Sequence, residues 1–568
     1  MRLQQKLWNP YILVFVSSGS IMIIELVASR LIAPTIGVSL YTWTSIIGVV
    51  LAGISLGNYV GGRLADRFPT PNLLGVVYTG AALTTLLALW LSNDLHTVRL
   101  PWNVPMMVWI VMYIAAVFLV PSVILGCVAP IVVKLSLTNL EHSGTTVGKI
   151  YAWSSAGSIA GTFLAGFFLI SRFGTKATYV GVSAVLLSLG IWFLLDISWK
   201  RSVARTALVL AVFGGTLLAL NTGGYLRREC MDETNYFCIN ISTRILPRQD
   251  QEVKGRTIHV LRLDRLVHSY TDLDDPLFLL YAYEQTYAAL MEPIIEAKPD
   301  LAAFFIGGGG YTFPRYVQAL APESRLVVSE IDPGVTEAAH RWLGLPYDTD
   351  IVTHNFDARA HLMWYEEPGS YDVVFGDAFD DYSVPYHLTT LEFTQVVDSV
   401  LKEDGVYMAN IIDAGVSGRF LRAFVATQQE VFEHVEVIPS MAGWEQSTRS
   451  TFVVASSQHP IDTSRLTTPF RALPPDELAE YMNAAPYILL TDDYVPVDNL
   501  IAPVVEASFQ ATALDPETAA LVRERMAVMG GVGLGVAVLG AGGWRLIQQR
   551  RSRQSDVAAS PASKQGEA

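Results

Sequence analysis

Acidic residues stand just beyond the ends of several apolar runs in the second half of the chain, and their placement is where chemistry could be done. Glu330 follows Arg325–Ser329, Asp357 follows Asp350–Thr353, and Asp377, Asp380 and Asp381 lie in Gly376-Asp-Ala-Phe-Asp-Asp-Tyr382 after Tyr371–Phe375. A carboxylate at the end of the second strand of a doubly wound sheet is placed to hold both hydroxyls of a ribose. Asp357 would accept from an adenine amino group, or it would cap the helix that Ala358 opens; the residues leave both readings open. Three carboxylates within the five residues from Asp377 to Asp381 repel one another near a cleft unless a cation offsets them. A metal is one such cation, but no histidine sits in the cluster, and an organic amine beside an adenosine fits better.

These groups act together only if a sheet brings their strands to one edge. From about Asp232 to Ser456 short β-rich runs alternate with helical segments, the pattern of a mainly parallel sheet covered by helices. Leu301–Ile306 reads as its first strand, followed by Gly307, Gly308, Gly309 and Gly310 and then a helix from about Phe313. Glycines there let the backbone pass close to a bound nucleotide, although four glycines alone describe a flexible turn equally well.

Taken in order, Asp232-Glu-Thr-Asn-Tyr236, Leu263-Asp264-Arg-Leu-Val-His268, Tyr283-Glu284, the glycine loop, Glu330-Ile-Asp332, Asp357-Ala358 and Asp377 to Asp380 resemble the spermidine synthase family of aminopropyltransferases. The likeness is in particular to forms fused to a membrane domain. It implies an α/β Rossmann-like domain of the class I methyltransferase type behind a small β subdomain. It also implies decarboxylated S-adenosylmethionine as co-substrate, no permanently bound cofactor and no metal. By position, Gly307, Gly308, Gly309, Glu330, Asp357, Ala358 and His268 would hold the nucleotide. Asp377 would be the base or positioning group, and Asp380, Asp381, Tyr283 and Glu284 would receive a polyamine such as putrescine.

Two residues depart from the family pattern. Gly310 stands where the family carries an aspartate that contacts the aminopropyl ammonium; either a neighbour such as Asp381, Asp492 or Asp493 substitutes for it, or the donor differs. His268 stands where the family often has glutamine, and is expected to titrate near neutrality. Thr491-Asp-Asp-Tyr494 resembles a recurring element of the fused forms and reads as a turn.

The rest of the chain says where such a domain is held. At 568 residues the chain is too long for one compact unit, and a mean hydropathy of +0.35 places part of it in lipid. Seven apolar stretches run from Tyr11 to Leu220 (roughly 11–33, 41–62, 73–91, 106–128, 147–170, 179–195 and 203–220). Each is near the ~20 residues that a helix needs to cross a bilayer. Gly53, Gly57 and Gly61, and Gly157 with Gly161, recur at the four-residue spacing that lets helix backbones approach. The segment Gly61-Gly-Arg-Leu-Ala-Asp-Arg67 resembles half of a major-facilitator transporter. Glu25 and Arg30, five residues apart in the first stretch, point to different sides and are expected to pair elsewhere.

The expected organisation is a membrane domain of about seven helices over 1–222, a small β-rich subdomain with an entry helix over 223–300, and the Rossmann-like domain over 301–510. An eighth span over 526–547 and a disordered tail over 554–568 complete it. Residues 1–220 carry thirteen Lys and Arg against five Asp and Glu, and residues 521–568 seven against three, so of the formal −14 the middle holds −26. A segment this acidic repels nucleic acid and suits a cationic partner. Arg2, Lys6, Arg63, Arg67, Lys134, Lys149, Lys200, Arg201 and Arg205 fall on one side of the spans, and Arg30, Arg99, Arg172 and Lys176 on the other.

That bias makes the chain a multi-pass cell-membrane protein with cytoplasmic termini and an extracytoplasmic soluble domain. Adenosine-type donors are made in the cytoplasm, which stands in tension with that side. On that side Cys230 and Cys238 would form a disulfide, and otherwise they read as free thiols; no zinc spacing occurs. A homodimer is compatible with the sequence. Two rival readings remain: a polyamine transporter or sensor with a non-catalytic binding domain, motivated by Gly310 and Glu25, and an S-adenosylmethionine-dependent methyltransferase.

Overall fold

The computed structural model describes residues 9–37, 39–94, 105–137, 140–195, 199–227, 230–246, 255–378, 384–467 and 470–510. The expected span at 526–547 and the tail beyond it lie outside these residues, as do Asp380 and Asp381.

Among the described residues, six helical stretches are long and apolar enough to cross a bilayer: Pro10–Ala33, Leu40–Arg67, Pro71–Asn93, Met106–Ser136, Ser143–Leu194 and Val203–Thr222. The fifth has 52 residues and would be roughly 78 Å long if straight, far beyond a ~30 Å hydrocarbon core. It breaks at Gly174, whose φ of 77° and ψ of 172° are not helical, and so supplies two of the seven apolar segments expected. The glycines sit where helices touch. A Cβ on Gly57 would come within 2.8 Å of Gly126 Cα and one on Gly61 within 2.6 Å of Cys127 Cα, while Gly157 and Gly161 would each press to 2.7 Å on the backbone of Phe15 and Gly19. Close backbone approach of this kind is what small residues at four-residue spacing permit.

The soluble part begins with four antiparallel strands, β1 (Asp232–Glu233), β2 (Cys238–Leu246), β3 (Arg256–Leu263) and β4 (Leu266–Asp272), in that spatial order. A Cys230–Cys238 disulfide ties the segment before β1 to the start of β2. The helix Ala282–Ala297 then leads into a seven-stranded sheet of order β10-β11-β9-β8-β5-β6-β7. Its members are β5 (Ala302–Ile306), β6 (Arg325–Ser329), β7 (Val352–His354), β8 (Tyr371–Gly376), β9 (Leu401–Asp413), β10 (His434–Pro439) and β11 (Ser450–Ser457).

Strands β9, β8, β5, β6 and β7 are parallel, and β11 and β10 close one edge antiparallel. This is a Rossmann-like sheet of the methyltransferase type. Side chains alternate along each strand: Phe304, Val327, Val374, Tyr407 and Phe452 pack on one face, and Phe305, Val328, Phe375, Met408 and Val453 on the other. Both faces are therefore covered, as a parallel sheet requires. The chain reverses direction of progress beside β5, which has β6 on one side and β8 on the other, and ligands bind beyond the carboxyl ends of strands at such a switch point.

Two sets of contacts join the helices to the soluble part. Arg30 donates to the carbonyl of Tyr236, and the Thr175 N–H donates to Glu233 at 3.0 Å. On the other flank the Leu40 N–H donates to Asp498 Oδ2 at 3.1 Å and the Tyr41 hydroxyl donates to Asn499. Arg30 and Glu25 do not pair with one another: the Oε2 of Glu25 is buried without a partner among the described residues.

Candidate active site

The loop after β5 is shaped by what it must clear. Gly307 has φ 92° and a Cβ there would stand 2.6 Å from the carbonyl oxygen of Asp377; Gly309 has φ 50°. Both conformations disfavour side chains, and at Gly307 the loop lies directly over the end of β8. The Gly308 and Gly309 N–H groups donate to Glu330 Oε2 at 2.8 and 3.2 Å, and the Asp332 N–H donates to Oε1 at 3.0 Å. Glu330 thus braces the loop from the end of β6. A carboxylate has about four acceptor positions, so capacity remains for a hydroxyl. Burial pushes the Glu330 carboxyl up, against these three N–H bonds that hold it down.

Asp357 settles one of the choices left open by its sequence. Its Oδ1 accepts from the Ala360 N–H at 2.9 Å, the geometry of a helix cap, and its Oδ2 faces His387 Nε2 at 2.8 Å. The His387 contact holds Asp357 below the usual carboxylate range. An adenine amino group at this carboxylate would have to share it with His387. Ala358, the next residue, is buried.

Asp377 is held on both sides. The Tyr283 hydroxyl donates to Oδ2 at 2.8 Å and Asn410 Nδ2 donates to Oδ1 at 2.8 Å. Burial pushes its pKa up while these two bonds oppose the shift. Glu284 lines the same cavity as Asp377, Tyr283, His268 and the loop Gly307–Gly310. It is 3% exposed, its Oε2 has no partner, and burial first and the charge of Asp377 second raise it well above the ordinary value. Burial and the neighbouring Asp377 thus favour the protonated form of Glu284 relative to an exposed carboxyl. A bound ammonium would let both ionise.

That proton has a measurable consequence. Because folding raises the pKa of Glu284, the folded chain holds this proton more tightly than the unfolded one, and stability falls as pH rises from the unfolded value through the folded one. Glu284→Gln has no such charge to bury. Its thermal midpoint should exceed that of the wild type by about 3 °C at pH 8 and converge with it only below about pH 4, under the unfolded-state value. Parallel midpoint-versus-pH curves for the two proteins would contradict the assignment.

Three expectations are corrected. His268 does not titrate near neutrality: burial, helped by the charge of Arg449, pushes it down to about 4, so it meets the cavity as a neutral ring. Gly310 is not a vacancy awaiting a neighbouring carboxylate, since a Cβ there would stand 2.7 Å from Ser269 Cβ and 3.1 Å from Thr271 Oγ1; the β4 hydroxyls occupy the place of an aspartate side chain. Asp492 does not substitute, because it grips Arg359 through two bonds of 2.7 and 2.6 Å. Neither it nor Asp493 lines the cavity. The Thr491–Tyr494 segment is a turn closed by a bridge between those two residues, and through Asp492 it anchors the helix that Asp357 caps.

Asn410, Ser269 and His387 escaped the reading of the sequence. Asn410 lies near the end of β9, the strand next to β8, so a polar residue in an otherwise apolar run was the available signal.

No family model matches the chain. It is 32% identical to a polyamine aminopropyltransferase of Vibrio vulnificus over 142 residues, 25% of this chain and 46% of that protein. It is 29% identical to an eEF1A lysine and N-terminal methyltransferase of Mus musculus over 133 residues, 22% of this chain and 19% of that one. The chain thus spans less than half the length of these relatives. Among solved structures it is similar to a probable spermidine synthase from Corynebacterium glutamicum, with 23% identity, a TM-score of 0.39 and coverage of 46% of this chain and 95% of that one. The resemblance to aminopropyltransferases is therefore shared with curated proteins of that name over about a quarter of this chain.

Proposed function

We propose that the chain is a membrane-anchored polyamine aminopropyltransferase, moving the aminopropyl group of decarboxylated S-adenosylmethionine to a diamine such as putrescine. The observation that carries this reading is Asp377, half-buried and held between Tyr283 and Asn410, sharing a cavity with Glu284 and with the loop that Glu330 braces. In the reaction the amine nitrogen attacks the methylene carbon bonded to sulfur. The C–N bond forms, the C–S bond breaks, and its electron pair returns to sulfur, releasing methylthioadenosine. Asp377 takes the proton that the nitrogen loses, and Tyr283 and Asn410 hold the carboxylate in line. Positioning of this kind accounts for much of the rate of a bimolecular displacement.

The helices would anchor the domain, and the excess of Lys and Arg at the end of the bundle away from it supports an extracytoplasmic domain. The Cys230–Cys238 pair supports the same side, since disulfides persist in oxidising compartments. A reporter fused after Leu500 tests this.

One observation favours a second reading, transfer from intact S-adenosylmethionine. Ser269 and Thr271 fill the place where an aspartate would meet the aminopropyl ammonium. Purified full-length chain given putrescine and decarboxylated S-adenosylmethionine should release methylthioadenosine. Release of S-adenosylhomocysteine from intact S-adenosylmethionine, with no methylthioadenosine from the other donor, would replace the first reading by the second.

A further inference from the structure

The segment from Asp232 to Phe237 lies inside the stretch that the Cys230–Cys238 disulfide closes, and it touches both the helical bundle and the large sheet. The bundle grips it twice. The Glu233 carboxylate accepts the Thr175 N–H at 3.0 Å and the Thr175 hydroxyl, and the carbonyl of Tyr236 accepts from Arg30. The helix is broken where this carboxylate arrives: a Cβ on Gly174 would stand 2.7 Å from Glu233 Oε2.

On its other side the same segment reaches the residue that aims Glu330. The Thr234 hydroxyl accepts the Tyr236 N–H at 3.1 Å and donates to Asp332 Oδ2 at 2.5 Å. Asp332 Oδ1 accepts the Gly334 N–H at 2.8 Å, capping the helix Pro333–Trp342, and Gly334 leaves no room for a Cβ beside the Thr234 methyl. Asp332 is 1% exposed, so each donor it meets offsets the cost of a buried carboxylate. Burial pushes its carboxyl up, and Thr234, the Gly334 N–H and the positive charge of Arg30 oppose that shift. The Asp332 N–H then goes to Glu330 Oε1 at 3.0 Å. An unbroken series of contacts thus runs from Arg30 on the first membrane helix through Tyr236, Thr234 and Asp332 to Glu330.

We propose that Arg30 and Thr234 are positioning residues for the nucleotide, so that the helical bundle sets the aim of Glu330 and with it the affinity for the adenosine half of the donor. Without the Thr234 hydroxyl a buried carboxylate oxygen loses its donor, and Asp332 must move to find another, taking along the N–H that holds Glu330. Without Arg30 the Tyr236 carbonyl loses its donor, and Asp264 and Asp332 lose the positive charge they face. The proposal rests on the reading above, in which Glu330 faces a ribose; it makes the bundle part of the binding machinery as well as an anchor.

Methylthioadenosine binding to the purified full-length chain in detergent, followed by calorimetry, tests it. Thr234→Val, which keeps the shape and removes the hydroxyl, and Arg30→Gln, which removes the charge, should each weaken binding about fivefold, inside the range that contact networks carry between sites. Thr234→Ser and Arg30→Lys should restore it to within about twofold of the wild type. The donor KM should rise with the dissociation constant while kcat at saturation stays within about twofold, because Asp377 is untouched. A purely structural role would instead reduce the amount of active protein, lowering apparent kcat at unchanged affinity. The double variant Thr234→Val with Arg30→Gln should bind within about twofold of the weaker single variant, since both act along one path. In a variant too unstable for calorimetry, the rise of its melting midpoint on adding methylthioadenosine reads the same affinity. Wild-type affinity in Thr234→Val and Arg30→Gln would overturn the proposal, as would losses that multiply in the double variant or a loss confined to kcat. A wild-type chain that binds neither methylthioadenosine nor S-adenosylhomocysteine defeats the reading of the site itself.

Discussion

With putrescine and decarboxylated S-adenosylmethionine as substrates, Asp377→Asn should lower kcat by about 10³-fold, within the 10²–10⁴ that a positioned general base contributes. The substitution keeps the shape. Asn410 Nδ2 still has an oxygen to donate to, and the Tyr283 hydroxyl can turn to accept from the new amide, so the two 2.8 Å contacts are retained in altered polarity. What disappears is the capacity to take a proton. Binding of methylthioadenosine should therefore stay within about threefold of the wild type, because on the proposed reading the nucleotide would be held from the ends of β5, β6 and β7. A variant that kept its turnover, or one that lost turnover and nucleotide binding together, would remove Asp377 from the role of base.

Gly310→Asp, which brings the loop closer to the family pattern, should not improve the site. Its Cβ meets Ser269 Cβ at 2.7 Å and Thr271 Oγ1 at 3.1 Å, and overpacking of this kind costs about 1–3 kcal/mol. Backbone strain is not the cause, since Gly310 is absent from the positive-φ residues. Removing the obstruction with Ser269→Gly should recover that loss, so that the two substitutions couple by at least about 1 kcal/mol in a double-mutant cycle. The double variant should also bind decarboxylated S-adenosylmethionine more tightly than the wild type does, through a carboxylate now facing the ammonium. Additive melting shifts would mean that Ser269 does not guard the position, and unchanged donor affinity would mean that the amine of the donor lies elsewhere.

Much of this site was legible because its parts obey local rules. A carboxylate after an apolar strand, glycines after another and a helix start at Ala358 are each written within a few residues, and a parallel sheet brings such ends to one edge. The glycine stripes of the bundle were legible for the same reason, since helix periodicity alone places Gly53, Gly57 and Gly61 on one face. What escaped depends on contacts between distant segments. Asn410 reaches Asp377 across 33 positions and His387 reaches Asp357 across 30. Neither has a spacing that announces it.

His268 shows the same limit in its charge state. Its residue type predicts titration near neutrality, whereas enclosure, a property of the fold, lowers it to about 4. Gly310 combines both difficulties, because the reason for its lack of a side chain lies on β4, forty-one residues earlier at Ser269.

The two-sided attachment of the soluble part has a mechanical consequence. One anchorage, through Tyr236 and Glu233, lies at the start of that part of the chain, and the other, through Asp498 and Asn499, lies near its end. A body hung from a single tether swivels freely, whereas one pinned at two separated points can only rock about the line that joins them. Any stroke of the helices is then delivered to the sheet as tilt about that line, carrying the strand ends that bear Glu330 and Asp377 with it.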